Sequence, residues 1–387
     1  MEYSVAERTA CFQESVIRKM TRVCQKYGGI NLAQGFPEKD PPDEVLQAAL
    51  RAIREGKNQY SITWGLPALR EAVAQKVSRF NGIRPDPESE VTITCGSSEA
   101  ITASLLALVN PGERVVIFEP FYENYLPGLA LCGASPIFVT LREPEWTFDL
   151  KTLKEAFAQK PKALILNTPA NPSGKVFTRE ELEIIARLCQ ENDTYVITDE
   201  IYEHILYDDS AHISPASLPG MWERTVTING CSKTYSVTGW RVGYVIAPKG
   251  LMGAIRKVHD YMVVAAPTPF QVAAVVALGL PNSYYQELRA YYQTQRDYMI
   301  ATFQELSIPV LRPSGAYYMM IRIDGLGYAD DETLAMALVE KAGLAFVPGS
   351  SFYHRREDGR NKIRICFAKK WETLQEIKTR FAKFLNR

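Results

Sequence analysis

Short runs of apolar residues, each bounded by turn-forming residues, recur through the middle of the chain. Five of them are rich in Val, Ile or Leu and show no clear alternation, at residues 115–118, 163–166, 195–198, 225–228 and 242–246. Such runs are typical of strands buried on both faces of a mostly parallel sheet. Helical patterns separate them, as in residues 178–190, where Thr178 and Glu181 form a capping box. This alternation predicts an α/β domain.

The two ends of the chain show a different pattern. Residues 1–42 have few clear periods and contain Gln-Gly-Phe-Pro and Asp-Pro-Pro, which indicate an arm and a loop before a helix near residues 43–55. A long helical pattern at 283–306 leads to an α+β unit, with strands at 317–323, 344–347 and 362–367 and a helix near 331–341. We therefore expect a large domain at 43–280, and a small domain that combines 1–42 with 281–387.

Composition narrows the classes of partner. Of the 387 residues, 46% are hydrophobic and 23% charged, which is ordinary for a folded globular protein and excludes disorder as the main state. Lys plus Arg and Asp plus Glu both total 44, so the net charge is zero. No overall field attracts nucleic acid or an anionic membrane, and we expect a small-molecule partner instead.

The cysteines and histidines indicate neither a disulfide framework nor a metal site. Seven scattered cysteines form no C-x-x-C pair, so we expect them to be reduced, and the four histidines show no H-x-x-x-H spacing. The first residues lack the regions of a signal peptide, and no apolar run reaches the roughly 18 residues of a membrane helix. We expect a cytoplasmic protein without a metal cofactor.

The stretch at residues 229–244 carries the strongest chemical signal. Lys233 follows the apolar run 225–228, so it lies where open α/β sheets bind ligands. Arg241 comes eight residues later between Gly239 and Gly243, and glycines let the backbone approach a ligand closely. An isolated Ser-Lys-Thr tripeptide is more often a surface loop. The neighbouring arginine and glycines favour an anion site.

Three further strand ends carry polar residues. Asn171 follows the run 163–166 in a turn with two prolines and a glycine. Asp199 comes directly after the run 195–198, where a buried carboxylate needs a cation or a hydrogen-bond donor, although it could instead cap a helix. The step from Gly96 to Ser98 changes from a strand to a helix and offers free N–H groups and a positive dipole end to an anion.

The order and spacing of these motifs resemble the fold type I, pyridoxal-5′-phosphate-dependent aminotransferases of class I/II, over nearly the whole chain. The matching positions are Gln34-Gly35-Phe36-Pro37, Tyr60, Gly65, Pro67, Leu69-Arg70-Glu71, Gly96-Ser97-Ser98, Glu119-Pro120, Asn171-Pro172-Ser173-Gly174, Asp199-Glu200-Ile201-Tyr202, Ser232-Lys233, Gly239-Trp240-Arg241-Val242-Gly243 and Arg364. The chain looks most similar to the branch that holds kynurenine/glutamine, methionine and aspartate/aromatic aminotransferases. The resemblance implies a large domain with a mostly parallel central sheet flanked by helices, plus a smaller α+β domain.

The resemblance also implies catalytic roles. Lys233 would form the Schiff base with pyridoxal 5′-phosphate and shuttle a proton between the substrate's Cα and C4′ of the cofactor. Asp199 would keep the pyridine nitrogen protonated, and so maintain the ring as an electron sink. Asn171 and Tyr202 would donate hydrogen bonds to the phenolate oxygen O3′. The amino group would move from an L-amino acid to a 2-oxo acid, with 2-oxoglutarate as the expected acceptor, through a pyridoxamine form.

Other matched residues would hold the cofactor phosphate. These are Ser232, Arg241 and the helix start formed by Gly96, Ser97 and Ser98. The position three before Lys233 is often Ser in the family and is glycine here, so one hydroxyl contact would be missing. Position 98 has Lys in one aspartate-preferring subgroup, so serine weakens an aspartate assignment.

The remaining implied roles concern the ring, the partner subunit and the substrate. Tyr122 would stack on the cofactor ring, although it could equally be a core aromatic residue. Tyr60 would reach the phosphate of the neighbouring subunit, which implies a homodimer. Arg364 would bind the α-carboxylate of the substrate in bidentate fashion, with Gly35 and Asn171 beside it.

Two alternatives stay open from the sequence. A cysteine-conjugate or C–S β-lyase of the same fold would use the same lysine but expel a leaving group from Cβ. A regulatory domain fused to a DNA-binding helix-turn-helix would need about 100 further N-terminal residues, and residues 1–31 are too few to hold them. We expect the transaminase, without contacts to nucleic acid or membrane.

Overall fold

The computed structural model describes residues 4–385, so residues 1–3 and 386–387 of the predicted small domain lie outside it. The α-helices of this range are α1 (Glu7–Ala10), α2 (Val16–Lys26), α3 (Asp43–Arg54), α4 (Pro67–Phe80), α5 (Gly96–Leu108), α6 (Tyr125–Cys132), α7 (Leu150–Phe157), α8 (Arg179–Glu191), α9 (Lys249–Val263), α10 (Thr268–Leu278), α11 (Asn282–Glu305), α12 (Asp331–Ala342) and α13 (Trp371–Leu385). Short 3₁₀ turns occur at Pro215–Ser217, Trp222–Arg224, Thr238–Trp240, Gly349–Phe352 and Arg356–Asp358.

The strands form three sheets. In chain order they are β1 (Ile30–Asn31), β2 (Val91–Thr94), β3 (Arg114–Glu119), β4 (Ser135–Thr140), β5 (Ala163–Asn167), β6 (Tyr195–Asp199), β7 (Thr225–Gly230), β8 (Gly243–Ile246), β9 (Val310–Leu311), β10 (Tyr318–Arg322), β11 (Leu344–Ala345), β12 (Val347–Pro348) and β13 (Lys362–Cys366). The largest sheet has seven strands in the order β2-β8-β7-β6-β5-β3-β4. A four-stranded sheet has the order β12-β13-β10-β9, and β1 pairs with β11.

The seven-stranded sheet confirms the predicted α/β architecture. Strands β3 to β7 pair in parallel, whereas β8 runs antiparallel to both β7 and β2. Its strands are buried almost throughout, as β5 and β6 show, which explains why their sequences lack alternation. Because the parallel strands end at one edge, the residues that follow β5, β6 and β7 meet there.

The smaller sheet is entirely antiparallel. Strand β10 pairs with β13 and β9, and β12 pairs with β13. Residues of α11, α12 and α13 pack against this sheet in one hydrophobic core. The N-terminal strand β1 pairs in parallel with β11 beside it. The register places Met320 opposite Arg364, so Arg364 lies in the middle of a fully buried strand. A buried guanidinium requires a partner, and β13 directs it toward the large sheet's carboxyl edge, where it meets Asn171.

The N-terminal segment differs from the arm and loop that the sequence predicts. Residues 16–26 form helix α2, whose buried side chains are Ile17, Met20 and Cys24. This spacing of three and four residues is helical, but only these three positions are buried among many polar ones. The helix therefore obtains its stability from packing on the rest of the molecule, which the local sequence does not reveal.

One strand of the large sheet is absent from the sequence prediction, and one predicted strand is divided. Strand β4 is an edge strand with Pro136 and several exposed residues, so it lacks the apolar signature of its neighbours. Strand β2, of four residues, ends directly before helix α5, as the predicted change from strand to helix at Gly96 requires. The predicted strand 344–347 is two short strands, β11 and β12, that pair with different partners. The capping box of Thr178 and Glu181 at α8 is confirmed.

Candidate active site

A cavity of about 480 Å³ opens at the carboxyl edge of the large sheet. Most of the predicted site residues line it: Gly35, Ser97, Ser98, Tyr122, Asn171, Asp199, Tyr202, Ser232, Lys233 and Arg241. Arg364 lies directly behind this wall, because its Nη1 donates to Asn171 Oδ1 at 2.8 Å. Gly96 begins helix α5 immediately before Ser97. The fold thus brings together residues that are up to about 330 positions apart in the sequence.

Lys233 provides a partly buried amine in this cavity. It lies in the turn after β7, and its Nζ donates to the carbonyl of Gly35 at 2.7 Å. Burial lowers the pKa of Lys233 to about 8, since a charged amine is poorly solvated there. Cys366 and Asp199 oppose this shift, whereas Arg241 and Arg364 add to it. The amine is therefore partly neutral near pH 8, which nucleophilic attack requires.

Asp199 is a buried carboxylate at the end of β6. Tyr125 donates its hydroxyl to Asp199 Oδ2 at 3.0 Å, and the N–H of Ile201 lies 3.4 Å from Oδ1. Burial raises the pKa of Asp199 to about 6, although these hydrogen bonds and Lys233 act against the increase. Among the described residues, no Lys, Arg or His nitrogen lies within 4.0 Å of this carboxylate. A cationic N–H from a ligand would neutralise it.

Two tyrosines meet at the wall of the cavity next to Lys233. The hydroxyls of Tyr202 and Tyr318 are 2.9 Å apart, and both side chains are buried. The Tyr202 ring lies 5.9 Å from Lys233 Nζ. Gly35 fits closely against this pair, because a Cβ at position 35 would overlap the Tyr318 hydroxyl. Glycine at position 35 thus permits the close approach of the N-terminal segment.

Arg364 is completely buried and incompletely bonded. Besides its bond to Asn171, its Nη2 donates to the carbonyl of Ala33, and its guanidinium lies over the rings of Tyr318 (4.5 Å) and Phe352 (5.2 Å). Its Nε has no hydrogen-bond partner among the described residues. A buried guanidinium without a carboxylate is costly, so the arrangement favours an anionic ligand.

Another part of the cavity wall combines a cation with a helix N-terminus. Helix α5 begins at Gly96, and no side chain caps its first turn. Arg241 adopts a left-handed backbone conformation (φ 55°) and lies so close to Gly96 that a Cβ there would overlap its guanidinium. A Cβ at Gly243 would collide with the backbone of Gly96 and Ser97. These glycines allow an arginine and a helix N-terminus to converge on one point.

Tyr60 lies away from the other predicted residues. It is 82% exposed and does not line the cavity of its own chain. The structure contains one chain, so the predicted contact of Tyr60 with a neighbouring subunit stays a prediction.

Several residues of the site were missed by the sequence reasoning. Tyr125 bonds to Asp199, and Ser15, Ile17, Arg18 and Glu123 line the cavity. Tyr125 lies only three residues after Tyr122, so the first turn of α6 was a detectable signal. The residues of α2 could not be found, because the sequence indicated an arm rather than a helix there.

Comparison with known proteins assigns the family. The model of aminotransferase class I and II matches residues 27–381. The chain belongs to this family. Among similar aminotransferases, the aspartate aminotransferase of Pyrococcus abyssi is 37% identical over 386 residues, which cover 99% of this chain and 98% of that protein. Kynurenine–oxoglutarate transaminase 1 of Homo sapiens is 36% identical over 400 residues, covering 95% and 94%.

Solved aminotransferase structures confirm the fold type I architecture. The N-succinyldiaminopimelate aminotransferase of Mycobacterium tuberculosis superposes with a TM-score of 0.96 at 35% identity, and covers 98% of this chain and 100% of that one. The aspartate aminotransferase of Thermus thermophilus gives a TM-score of 0.91 at 31% identity, covering 99% and 100%. This protein is therefore an aminotransferase, and the class I and II family depends on pyridoxal 5′-phosphate.

The cavity fits that cofactor. The partly neutral amine of Lys233 suits an aldehyde, the carboxylate of Asp199 suits a protonated ring nitrogen, and Arg241 with the α5 terminus suits a phosphate. Within residues 4–385, none of the helices combines the length and the apolarity that crossing a membrane requires.

Proposed function

We propose that this aminotransferase moves the amino group of an L-amino acid to a 2-oxo acid, with 2-oxoglutarate as the acceptor and Lys233 as the residue that binds the cofactor. One observation carries the proposal. A partly buried amine of lowered pKa (Lys233) and a buried carboxylate (Asp199) line one cavity, and an incompletely bonded buried guanidinium (Arg364) lies directly behind its wall. Such convergence of perturbed groups is typical of catalytic sites.

Lys233 and Asp199 divide the proton chemistry. When bound, pyridoxal 5′-phosphate supplies an aldehyde that accepts the amino group and a cationic ring that weakens the substrate's Cα–H bond. Lys233 Nζ then takes the proton from Cα as a general base, for which a pKa of about 8 is well suited. Asp199 holds the ring N–H, and its bond from Tyr125 fixes the carboxylate's orientation.

Asn171 and Tyr202 orient the cofactor's phenolate oxygen. The Oδ1 of Asn171 accepts a hydrogen bond from Arg364, so its amide NH₂ is directed to donate elsewhere. Tyr202 has its hydroxyl fixed by Tyr318. Arg364 binds the α-carboxylate of the substrate, and Gly35 forms the facing wall.

The phosphate site and the ring site complete the proposal. Ser97, Ser98, Ser232 and Arg241 hold the phosphate together with the start of α5 at Gly96. Tyr122 covers the ring face, which is consistent with its edge-on contact with Tyr125 at 5.7 Å. We also propose that the protein is a cytoplasmic homodimer in which Tyr60 reaches the partner's phosphate, as its exposed side chain allows.

Half-reactions test the activity. With an amino acid alone, the holoenzyme should complete one turnover per site and stop, and adding 2-oxoglutarate should restore the starting spectrum. Continuous release of pyruvate and ammonia from a cysteine conjugate, without an acceptor, would instead support the β-lyase. A panel of amino-acid donors with 2-oxoglutarate then ranks the substrates. No turnover with any donor would contradict the proposal.

Complementation between subunits tests the role of Tyr60. Chains that carry Tyr60→Phe and Lys233→Ala are mixed, so that one of the two sites in a heterodimer has both native residues. Cofactor affinity at that site should match the native protein, and it should be weaker in the Tyr60→Phe homodimer. Equal affinity in both would place Tyr60 outside the site.

A further inference from the structure

Arg18 lies in the first turn of helix α2, which forms part of the cavity wall. Three hydrogen bonds fix this turn. Ser15 Oγ accepts from the N–H of Arg18 at 3.2 Å, and the N–H of Val16 donates to Glu123 Oε2 at 3.2 Å. Ser15 Oγ also donates to the other oxygen of Glu123. The turn is thereby attached to the loop between β3 and α6, with Ile17 buried beneath it.

The positive charge of Arg18 has no ionic partner in the part of the chain that the structure describes. Among residues 4–385, no carboxylate oxygen lies within 4.0 Å of its guanidinium nitrogens, and nearby Glu14 is paired with Arg22. The carboxylate of Glu123 accepts from Ser15 and Val16 instead. The other two cations that line the cavity are Lys233 and Arg241, which the proposed function assigns to the cofactor. Arg18 is the remaining cation of the wall.

The charge of Arg18 acts on the interior of the cavity. Burial and the charges of Glu123 and Asp199 raise the pKa of Tyr122 to about 12, and Arg18 is the first of the groups that oppose this increase. Tyr122 itself lines the cavity. The guanidinium is therefore near enough to stabilise a negative charge beside this ring.

Arg18 also marks the mouth of the cavity. A more open groove of about 1240 Å³ adjoins it, and the two share Ser15, Arg18, Ser98, Glu123 and Asn124. Arg364, by contrast, is fully buried behind Asn171 at the inner wall. For a substrate whose α-carboxylate is bound at Arg364, we take the side chain to extend from this inner wall toward the mouth, where Arg18 lies.

We propose that Arg18 binds the distal carboxylate of dicarboxylic substrates, namely amino acids and 2-oxo acids with an acidic side chain. The inference rests on the proposed function, because it takes Arg364 as the α-carboxylate site. Ser98, which lines both the cavity and the adjoining groove, carries no charge. Arg18 supplies the charge there, and its planar guanidinium suits a carboxylate.

The test compares dicarboxylic with monocarboxylic substrates in Arg18→Gln. With glutamate and 2-oxoglutarate, kcat/KM should fall ten- to a hundredfold, since the lost contact is a charge-assisted one. With alanine and pyruvate it should change less than twofold. Lys19→Gln is the matched control, because Lys19 is exposed on the same turn and lines only the wider outer groove, not the cavity itself. This control should leave both substrate classes unchanged.

Binding of a non-reacting dicarboxylate supplies a second measurement. Calorimetry of the holoenzyme with succinate should show affinity at least tenfold weaker in Arg18→Gln and native affinity in Lys19→Gln. Equal losses of kcat/KM for both substrate classes would give Arg18 a structural role and overturn the inference. Unchanged kinetics together with unchanged succinate binding would overturn it as well. If native protein transaminates neither class, the proposed function itself fails, and that outcome is distinct from a lost preference.

Discussion

The hydroxyls of Tyr202 and Tyr318 lie 2.9 Å apart and join the end of β6 to the start of β10. If Tyr202 donates its own proton to the cofactor's O3′, as we propose, then Tyr318 must be the donor in this pair. The guanidinium of Arg364 lies over the Tyr318 ring at 4.5 Å. Tyr318 thus contacts both Tyr202, which we propose binds the phenolate oxygen, and Arg364, which we propose binds the α-carboxylate.

Replacing Tyr318 with Phe tests this pairing. Without the Tyr318 donor, the Tyr202 hydroxyl is a weaker donor to O3′, so the protonated form of the bound cofactor gains relative stability. The midpoint of the holoenzyme's absorbance titration should rise by up to about one pH unit, which corresponds to about 1 kcal/mol. Tyr207→Phe is the control, since it loses a buried bond to the carbonyl of Ala316 away from the cavity. A shift of the same size in both variants would show that the pair has no specific role.

Arg364→Lys tests the α-carboxylate site. The lysine keeps the charge but loses the planar fork, so amino acids and 2-oxo acids should both bind more weakly by about 1–3 kcal/mol. The absorbance of the resting holoenzyme should scarcely change, because other residues contact the cofactor. The ratio of kcat/KM for an amino acid to that for its decarboxylated amine measures the effect. If the variant loses activity equally with both compounds, Arg364 is structural.

Asp199→Asn should separate catalysis from stability. Transamination should fall by several orders of magnitude, because the ring nitrogen loses the charge that holds its proton. The cofactor-free protein should instead gain stability at pH 8. Burial raises the pKa of Asp199 to about 6 from 3.8, so the native state takes up a proton between these values, and its stability falls as pH rises through this window.

The size of that gain follows from the pKa difference. A difference of about two pKa units corresponds to about 3 kcal/mol in the free energy of unfolding. Above pH 6 the charged carboxylate costs the native protein this amount, and Asp199→Asn removes the cost. Near pH 4 the buried carboxyl is protonated, so the two proteins should be equally stable. Asn can still accept the bond from Tyr125. Chemical denaturation of both cofactor-free proteins at pH 4 and pH 8 measures this difference in the free energy of unfolding. If the variant is less stable than the native protein at pH 8, the Asp199 carboxylate is not an unneutralised charge in the cofactor-free protein.

A buried ion pair that does not line the active-site cavity should control stability without touching the chemistry. Lys76 Nζ bonds to Glu203 Oε1, and their side chains are only 5% and 2% exposed. Lys76→Met leaves a buried carboxylate unpaired and should cost about 3–5 kcal/mol at pH 7. Lys151→Met removes an exposed pair, with Glu155, and should cost less than about 1 kcal/mol.

The pH dependence of this pair has a defined sign. Burial alone would raise the pKa of Glu203, but Lys76 and the neighbouring histidines lower it to about 2 from 4.5. The pair's contribution is therefore present above pH 4.5 and is lost as pH falls toward 2. The difference in the free energy of unfolding between native protein and Lys76→Met should become smaller as pH falls over that range. Lys76→Met with Glu203→Gln should recover part of the loss, and no recovery would show that packing rather than charge is responsible.

Much of the site could be predicted from the sequence because its residues follow strand ends. Lys233, Asp199 and Asn171 each come after a buried apolar run, and such ends meet at one edge of a parallel sheet. The division near residues 43 and 281 stays a prediction. Tyr318 could not be assigned a role, because within an apolar strand a tyrosine is as readily a core residue.

Arg18 shows more clearly what the sequence alone does not predict. In a segment with few periods, its charge resembles that of any solvated arginine. Only the packing of Ile17 and the cap that Ser15 and Glu123 form turn this residue toward the cavity. Contacts between positions that are more than 100 residues apart carry this information, and they leave no local pattern.

Borohydride reduction of the holoenzyme tests the central claim most directly. The account predicts that reduction abolishes the visible absorbance and leaves a covalent cofactor adduct, which peptide mass spectrometry places on Lys233. Lys233→Ala should retain no adduct after the same treatment. An adduct on another lysine, or a native protein that gives no adduct with saturating pyridoxal 5′-phosphate, would contradict the assignment of Lys233.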